Sequence, residues 1–213
     1  AAATALALAR WFLESGGAPE GRGRMAALMG RGVGVPARFS AVRASSLAAA
    51  EPGPGPTAQG FLVGFPFGQM QAETLAELSG HGTLRVTPWR MLLVEGATDV
   101  PRNADLITDP KDPLRRVVAC TGAPGCPQAL AATRPLAQSI AGQIPQGALA
   151  HVSGCAKGCA HPSKAALTLV ARGPDGFDVV RKGRACDPPD VIGLSPARIL
   201  SNPDLLTELL NAP

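Results

Sequence analysis

The sequence contains no tyrosine, and aromatic residues make up only 4% of its 213 residues. Single-stranded nucleic acid is held largely by stacking on aromatic side chains, so the composition argues against a nucleic-acid partner. No apolar run approaches the roughly 18 residues that a membrane-spanning helix needs. The Ala-rich start is interrupted by Arg10 and lacks a positive leading region, so we expect no secretory signal. These absences predict a cytoplasmic protein with no membrane partner.

Cysteine is also scarce, and its number is odd: the chain has five. Small secreted domains carry a dense, even set of cysteines paired as disulfides. In a reducing compartment, cysteine pairs usually serve metal binding or redox chemistry instead. Cys186 lies outside the two pairs described below, in a polar segment, and we expect it to be incidental.

The charge excess is mild and not clustered. The chain has 20 basic and 16 acidic residues, with a formal net charge of +4. A weakly basic protein of this kind is expected to meet an anionic small molecule or an acidic electron donor.

The remaining four cysteines form two pairs, Cys120-x5-Cys126 and Cys155-x3-Cys159. Thiolates are soft anionic ligands, and four of them suit tetrahedral zinc or an iron–sulfur cluster. Zinc ribbons usually pair cysteines at closer spacing, so the x5 spacing favours a 4Fe-4S cluster; zinc and buried apolar thiols are the alternatives. Small residues that allow close backbone approach surround both pairs: Gly122, Ala123, Gly125, Gly154, Ala156 and Gly158.

The chain divides into three segments. Residues 1–57 carry no chemical motif and resemble the tail of a preceding domain followed by a Pro/Gly linker. Residues 58–100 predict a β-α-β lobe, with a strand at 60–66, a helix at 71–78 and a strand at 84–94. Residues 110–213 hold the cysteines. We expect the chain to be a fragment of a longer protein.

The strand at 84–94 carries Arg85 and Thr87 on one face, with Arg90 beyond them. Such a series can clamp a carboxylate, since arginine binds carboxylates bidentately. It can equally be the solvated face of an edge strand.

In the third segment, short strands lead into Cys120 and Cys155. A helix is predicted from Pro127 to Ile140, and Pro135 within it predicts either a kink or a division into two helices. Both cysteine pairs would then occupy strand-to-helix turns, where helix dipoles favour an anionic centre.

Three further side chains lie close to the second pair in sequence. Lys157 either offsets cluster charge, contacts an anionic substrate or is a solvated loop lysine. His151 and His161 are candidate iron ligands or neighbours that orient the ligands. No Ser-His-Asp set or phosphate-binding glycine loop is present, so the catalytic residues stay unknown.

The cysteine motif, together with the sequence of residues 84–90, resembles the sulfite and nitrite reductase haemoprotein family. The resemblance covers about residues 60–186. Residues 151–162 are most similar to members of the aerobic cobalamin pathway. Siroheme reductases usually have Asn at the position of Lys157 and Arg-Pro at His161-Pro162.

The resemblance implies an α+β fold, with a ferredoxin-like β-α-β lobe followed by an iron–sulfur-binding α/β lobe of the sulfite/nitrite reductase type. It implies a 4Fe-4S cluster on Cys120, Cys126, Cys155 and Cys159, and a separate non-haem iron. The activity implied is an oxygen-dependent monooxygenase of cobalamin biosynthesis that uses dioxygen and an electron donor. An anionic tetrapyrrole would be its substrate, contacted by Arg85, Thr87, Arg90 and Lys157. The alternatives are a siroheme-dependent sulfite or nitrite reductase and a non-catalytic electron-transfer or structural cysteine–metal module.

Overall fold

The computed structural model describes residues 2–40, 51–202 and 204–211. The chain forms two compact units that divide between Ala50 and Glu51. The predicted boundary between the first segment and the β-α-β lobe lay seven residues later, after residue 57.

The first unit is helical, with α1 (Ala2–Glu14), α2 (Met25–Gly30) and α3 (Ala37–Ser40). Trp11 and Leu28 are its buried side chains. The Trp11 ring lies 6.1 Å from the ring of Phe39, which gives this small unit an aromatic contact at its centre.

The second unit begins with a four-stranded antiparallel sheet in the spatial order β1-β2-β4-β3. Its strands are β1 (Gly55–Thr57), β2 (Gly60–Gly64), β3 (Thr83–Val86) and β4 (Met91–Glu95). Helix α4 (Ala72–Ser79) connects β2 to β3. Because both strands pair antiparallel with β4, β2 and β3 run in the same direction on either side of it. This is a split β-α-β unit, and the predicted ferredoxin-like arrangement is confirmed.

The apolar face of this sheet is closed by α4. Leu78 of the helix is fully buried against Val63 of β2 and Val94 of β4. Each such side chain contributes about 1.5–3 kcal/mol through removal from water. The sheet therefore has a core of its own.

Two local predictions need correction. Residues 84–94 form the hairpin β3–β4 and not the single strand predicted, and the N–H of Thr87 closes its loop with a hydrogen bond to the Met91 carbonyl. The Pro/Gly linker also contains structure, since Gly55–Thr57 pairs with β2. Its proline is tolerated because β1 lies at the edge of the sheet.

The second sheet has five strands in chain order: β5 (Val117–Ala119), β6 (Ala150–Ser153), β7 (Ala165–Gly173), β8 (Gly176–Gly183) and β9 (Val191–Leu194). The first three strands are parallel and the remainder antiparallel. A parallel connection needs a crossover, which the segment between β5 and β6 supplies with α5 (Arg134–Ile140).

One face of this sheet packs against α5 and the C-terminal helices α6 (Pro196–Ser201) and α7 (Leu205–Asn211). The fully buried members of this core are Ile140, Ile144, Ala150, Val152, Leu167, Leu169, Val179, Ile199 and Leu206. The opposite face carries a smaller cluster of Val170, Val180 and Ala185, and there Gly158 of the second cysteine loop lies against His151 of β6 and Ala185.

Helix α5 begins seven residues later than predicted. Residues 127–133 are turns, and Pro135 lies in the first turn of the helix, where its missing N–H costs nothing. The predicted kink was therefore wrong. The α+β class is confirmed by the two sheets, and no helix within the described residues is long and apolar enough to cross a membrane.

Candidate functional site

Cys120 lies at the end of β5 and is half-buried. The backbone N–H of Gly154 donates a hydrogen bond to its Sγ atom at 3.1 Å. The Thr133 hydroxyl donates to the Cys120 carbonyl at 2.8 Å, and its oxygen lies 4.0 Å from Sγ. An N–H group directed at sulfur is a contact typical of the surroundings of metal-binding cysteines, where it orients the ligand.

The loop from Cys120 to Cys126 is tightly closed. The N–H of Cys126 donates to the carbonyl of Gly122 at 2.8 Å. Gly122 has a φ of +69°, and a Cβ atom there would lie 2.6 Å from Thr133 Oγ1. Only glycine fits this backbone conformation and this space, so the turn that positions Cys126 depends on it.

The second pair follows β6. The Ser153 hydroxyl donates to the Cys155 carbonyl at 2.7 Å, and Leu130 N–H donates to the Gly154 carbonyl at 2.8 Å. Together with the bond from Gly154 to Cys120, these contacts join the second cysteine loop to the first. Cys155 is half-buried and Cys159 is exposed.

The helix-dipole expectation for both pairs was wrong. The second pair is followed by β7, and the first by turns that separate it from α5. The positive partial charge that faces Cys120 comes from the Gly154 amide instead.

The donor set fits a cluster in its chemistry, with soft thiols, an N–H group on sulfur and small residues that leave room for an inorganic core. Within the described ranges, no group of three or more His, Cys, Asp and Glu side chains is arranged to hold a metal ion. The assignment of the four cysteines as cluster ligands therefore stays a prediction.

Gly154→Ala is expected to disrupt the junction of the two loops. Its Cβ atom would lie 2.7 Å from Ala129 Cβ and 3.5 Å from Cys120 Sγ, so the backbone must shift. We expect a loss of about 1–3 kcal/mol in the free energy of unfolding and reduced iron content. Gly142→Ala is the matched control, since no atom lies within 4 Å of its Cβ position. Equal denaturation midpoints for the two variants would contradict the packing described.

Lys157 bridges the two loops at the surface. Its Nζ atom donates to Gln128 Oε1, in the turn that follows Cys126. The ammonium therefore lies beside both pairs, which is compatible with the predicted role in balancing cluster charge.

His151 lies beneath the second cysteine loop. It projects from β6 on the face opposite the main core, is fully buried, and its ring centroid is 5.9 Å from that of His161. Neither ring nitrogen has a hydrogen-bond partner among the described residues. Burial, and then the charge of His161, lower the pKa of His151 from 6.5 to about 4. The folded chain thus holds this imidazole neutral.

This shift predicts an acid-sensitive fold. Above pH 6.5 the His151 side chain is neutral in both the folded and the unfolded chain. Between pH 6.5 and about 4 only the unfolded chain takes up the proton, so stability falls as the pH is lowered. Urea denaturation across this interval should show a smaller pH dependence for His151→Gln than for the wild type. An identical pH dependence would contradict the shift.

A cavity of about 370 Å³ opens between the two sheets of the second unit. Its wall combines the aromatic side chains of Phe65, Phe67 and Trp89 with the guanidinium groups of Arg90 and Arg115.

The charged and polar part of the lining also includes Glu51 and His161. His161 connects this cavity to the loop that carries Cys155 and Cys159. Two arginines against one glutamate leave the lining net positive.

Two residues of this wall have strained backbones. Phe67 has a φ of +56° and Arg90 a φ of +58°, and they are two of the four non-glycine residues with positive φ in the described part of the chain. Such conformations cost about 1–3 kcal/mol and cluster at functional sites.

The four predicted substrate contacts do not share one surface. Arg90 lines the cavity, and Lys157 lies at the cysteine loops. The side chain of Arg85 binds Glu95 at 2.8 Å, and the Thr87 hydroxyl donates to the Met91 carbonyl. Arg85 and Thr87 line another, apolar cavity of about 480 Å³, which shares Pro88 and Trp89 with the first.

Arg115 and Phe67 were not among the sequence-predicted site residues. Arg115 precedes β5 and Phe67 follows β2, so each reaches the cavity through the packing of the two sheets. The one local signal was the position of Arg115 just before the strand that leads into Cys120.

Fold and site together define an α+β protein that joins a split β-α-β sheet to a mixed sheet bearing two cysteine loops. Over 141 residues, the chain is 30% identical to a precorrin-3B synthase from Sinorhizobium sp; the match covers 58% of this chain and 30% of that protein. The predicted resemblance is confirmed by this similarity, which involves less than a third of the relative's length.

Among solved structures, the NirA protein of Mycobacterium tuberculosis is similar with a TM-score of 0.48 and 18% identity, over 76% of this chain and 40% of that one. No protein-family model matches the chain.

Proposed function

We propose that the chain is part of a cytoplasmic, oxygen-dependent monooxygenase of cobalamin biosynthesis that converts precorrin-3A to precorrin-3B. The reaction hydroxylates the macrocycle and closes a γ-lactone from one of its acetate side chains. The sequence similarity to a precorrin-3B synthase supports this proposal, as does the chemistry of the cavity beside the cysteine loops.

The observation that carries the proposal is the cavity between the two sheets. Its volume of about 370 Å³ is at the lower end of the range for ligand sites, so it would hold one edge of a macrocycle. Phe67 and Trp89 offer apolar surface for the ring. Arg90 and Arg115 offer guanidinium groups for the peripheral carboxylates, which arginine binds bidentately.

Cys120, Cys126, Cys155 and Cys159 would hold a 4Fe-4S cluster. Such a cluster supplies single electrons when bound. The Gly154 N–H donates to Cys120 Sγ and would orient this ligand, and Lys157 adds a positive charge beside both loops. Electrons would come from an external donor, and the ligands of a separate non-haem iron are not assigned.

The chain's own side chains would orient the substrate and exclude water. Arg90 lies in the hairpin loop with a backbone φ of +58°, and Arg115 is held by a hydrogen bond from its Nη1 to the Pro110 carbonyl at 2.7 Å. With two carboxylates fixed, the macrocycle edge would lie towards His161 and the second cysteine loop. We retain Arg85, Thr87 and Lys157 as proposed substrate contacts at the periphery.

The proposal is tested by incubating the iron-loaded whole protein that contains this chain with precorrin-3A, a reductant and isotopically labelled dioxygen. Mass spectrometry should find a single labelled oxygen atom in the product, and Cys126→Ser should form none. Binding of precorrin-3A without turnover would contradict the proposed monooxygenase activity and leave the cavity assignment in place. Reduction of sulfite or nitrite by protein that carries siroheme would overturn the proposal in favour of the reductase reading.

A further inference from the structure

A second, smaller cavity adjoins the first. It measures about 330 Å³ and is lined by Lys111, Asp112, Arg115, Arg116 and Gln146 among others. Arg115 lines both cavities, and its Nη1 atom donates to the carbonyl of Pro110, which lines the second. A ligand held at Arg115 in the first cavity therefore lies beside the second.

The cations of this second cavity are not neutralised within the described part of the chain. Arg116 Nε is buried and has no hydrogen-bond partner there, although its residue as a whole is half-buried. The Lys111 side chain makes no ion pair in the same residues. Buried donors without partners are costly, which favours occupation by an anion.

The acidic residue of the lining is already engaged. Asp112 accepts a hydrogen bond from Leu114 N–H at 2.8 Å and so begins the short 3-10 turn at Pro113–Arg116. The lining also contains three basic residues, Lys111, Arg115 and Arg116. With a single carboxylate, it therefore has an excess of positive charge.

We propose that the second cavity is a carboxylate subsite for a peripheral side chain of the tetrapyrrole whose edge occupies the first cavity. This inference rests on the proposed function. A polycarboxylate macrocycle carries acidic side chains all around its ring. When one edge binds Arg90 and Arg115, a side chain of the neighbouring edge enters the space next to Arg115. Arg116 and Lys111 bind its carboxylate there, and this contact selects substrates with many carboxylates over those with few.

The test compares two porphyrin probes by fluorescence quenching. Uroporphyrin has carboxylates on every pyrrole ring, whereas deuteroporphyrin has them on one edge of the macrocycle alone. The wild-type chain is expected to prefer uroporphyrin. Arg116→Gln and Lys111→Gln should each lower that preference about five- to tenfold, the effect of a charge-assisted contact at a partly solvated site.

Arg198→Gln is the matched control, because this exposed arginine of α6 lines neither cavity. Lys111 is exposed, so its variant is expected to fold even where Arg116→Gln does not. An unchanged preference in the folded variants would overturn the subsite, while weaker binding in Arg90→Gln would still support the first cavity. Failure of the wild type to bind either porphyrin would overturn both the subsite and the proposed substrate class.

Discussion

Cys126→Ser is expected to lose most of the bound iron and sulfide and to destabilise the second unit of the chain. A serine hydroxyl is a hard, weakly acidic ligand and a poor substitute for thiolate on iron. Because cluster binding and folding are coupled, we expect a loss of about 3 kcal/mol, or roughly 6–12 °C in Tm for a chain of this size. Iron and sulfide analysis with thermal denaturation measures both effects.

Cys186→Ser is the matched control for that experiment. Cys186 is exposed and lies outside both loops, so its replacement should leave the iron content and the Tm unchanged. Cys126→Ser protein with wild-type iron content and melting behaviour would contradict the ligand assignment. Equal iron loss in both variants would contradict the distinction between the pairs and the fifth cysteine.

Arg90→Gly is expected to weaken tetrapyrrole binding about tenfold without destabilising the chain. The variant removes a guanidinium from the first cavity, which costs one charge-assisted contact at an exposed position. It also replaces a residue at a φ of +58° by the one residue that adopts this conformation freely. We expect the free energy of unfolding to stay constant or rise by up to about 1 kcal/mol. Uroporphyrin titration and urea denaturation give the two values.

Lys182→Gly separates the effect of relieving a positive φ on stability from the effect of losing a cation on ligand binding. Lys182 is another exposed cation with a positive φ, +48°, and it lines neither the first nor the second cavity. Its replacement should have a similar effect on stability and none on uroporphyrin binding. If Arg90→Gly lowered the free energy of unfolding but left uroporphyrin binding unchanged, Arg90 would stabilise the hairpin and not bind a ligand.

The regular elements of the β-α-β lobe follow from local patterns. The apolar run at 60–66 and the helical spacing at 71–78 lie close to β2 and α4. The hairpin was missed because its loop has Arg90 at the left-handed position, where glycine or asparagine would signal a turn. Because Arg90 is not a typical turn residue, the sequence pattern did not indicate the turn. A non-glycine residue in this strained conformation is for the same reason a candidate functional residue.

The cysteine motif was recognisable from spacing and neighbouring glycines, since both are local in sequence. The cavity was not, because Phe67, Arg90 and Arg115 belong to different elements and meet only when the two sheets pack. His151 illustrates the same limit. A single histidine in a short strand gives no sign that the cysteine loop following that strand will cover it and hold it neutral.

The most direct test of the account is the optical spectrum of the anaerobically purified chain, with iron, acid-labile sulfide and zinc measured on the same sample. We predict a broad brown absorption with iron and sulfide, and no Soret band. That result would support a 4Fe-4S cluster without haem in a tetrapyrrole-modifying monooxygenase. Sharp Soret and visible bands would contradict it and favour a siroheme reductase, and colourless, zinc-loaded protein would contradict the cluster itself.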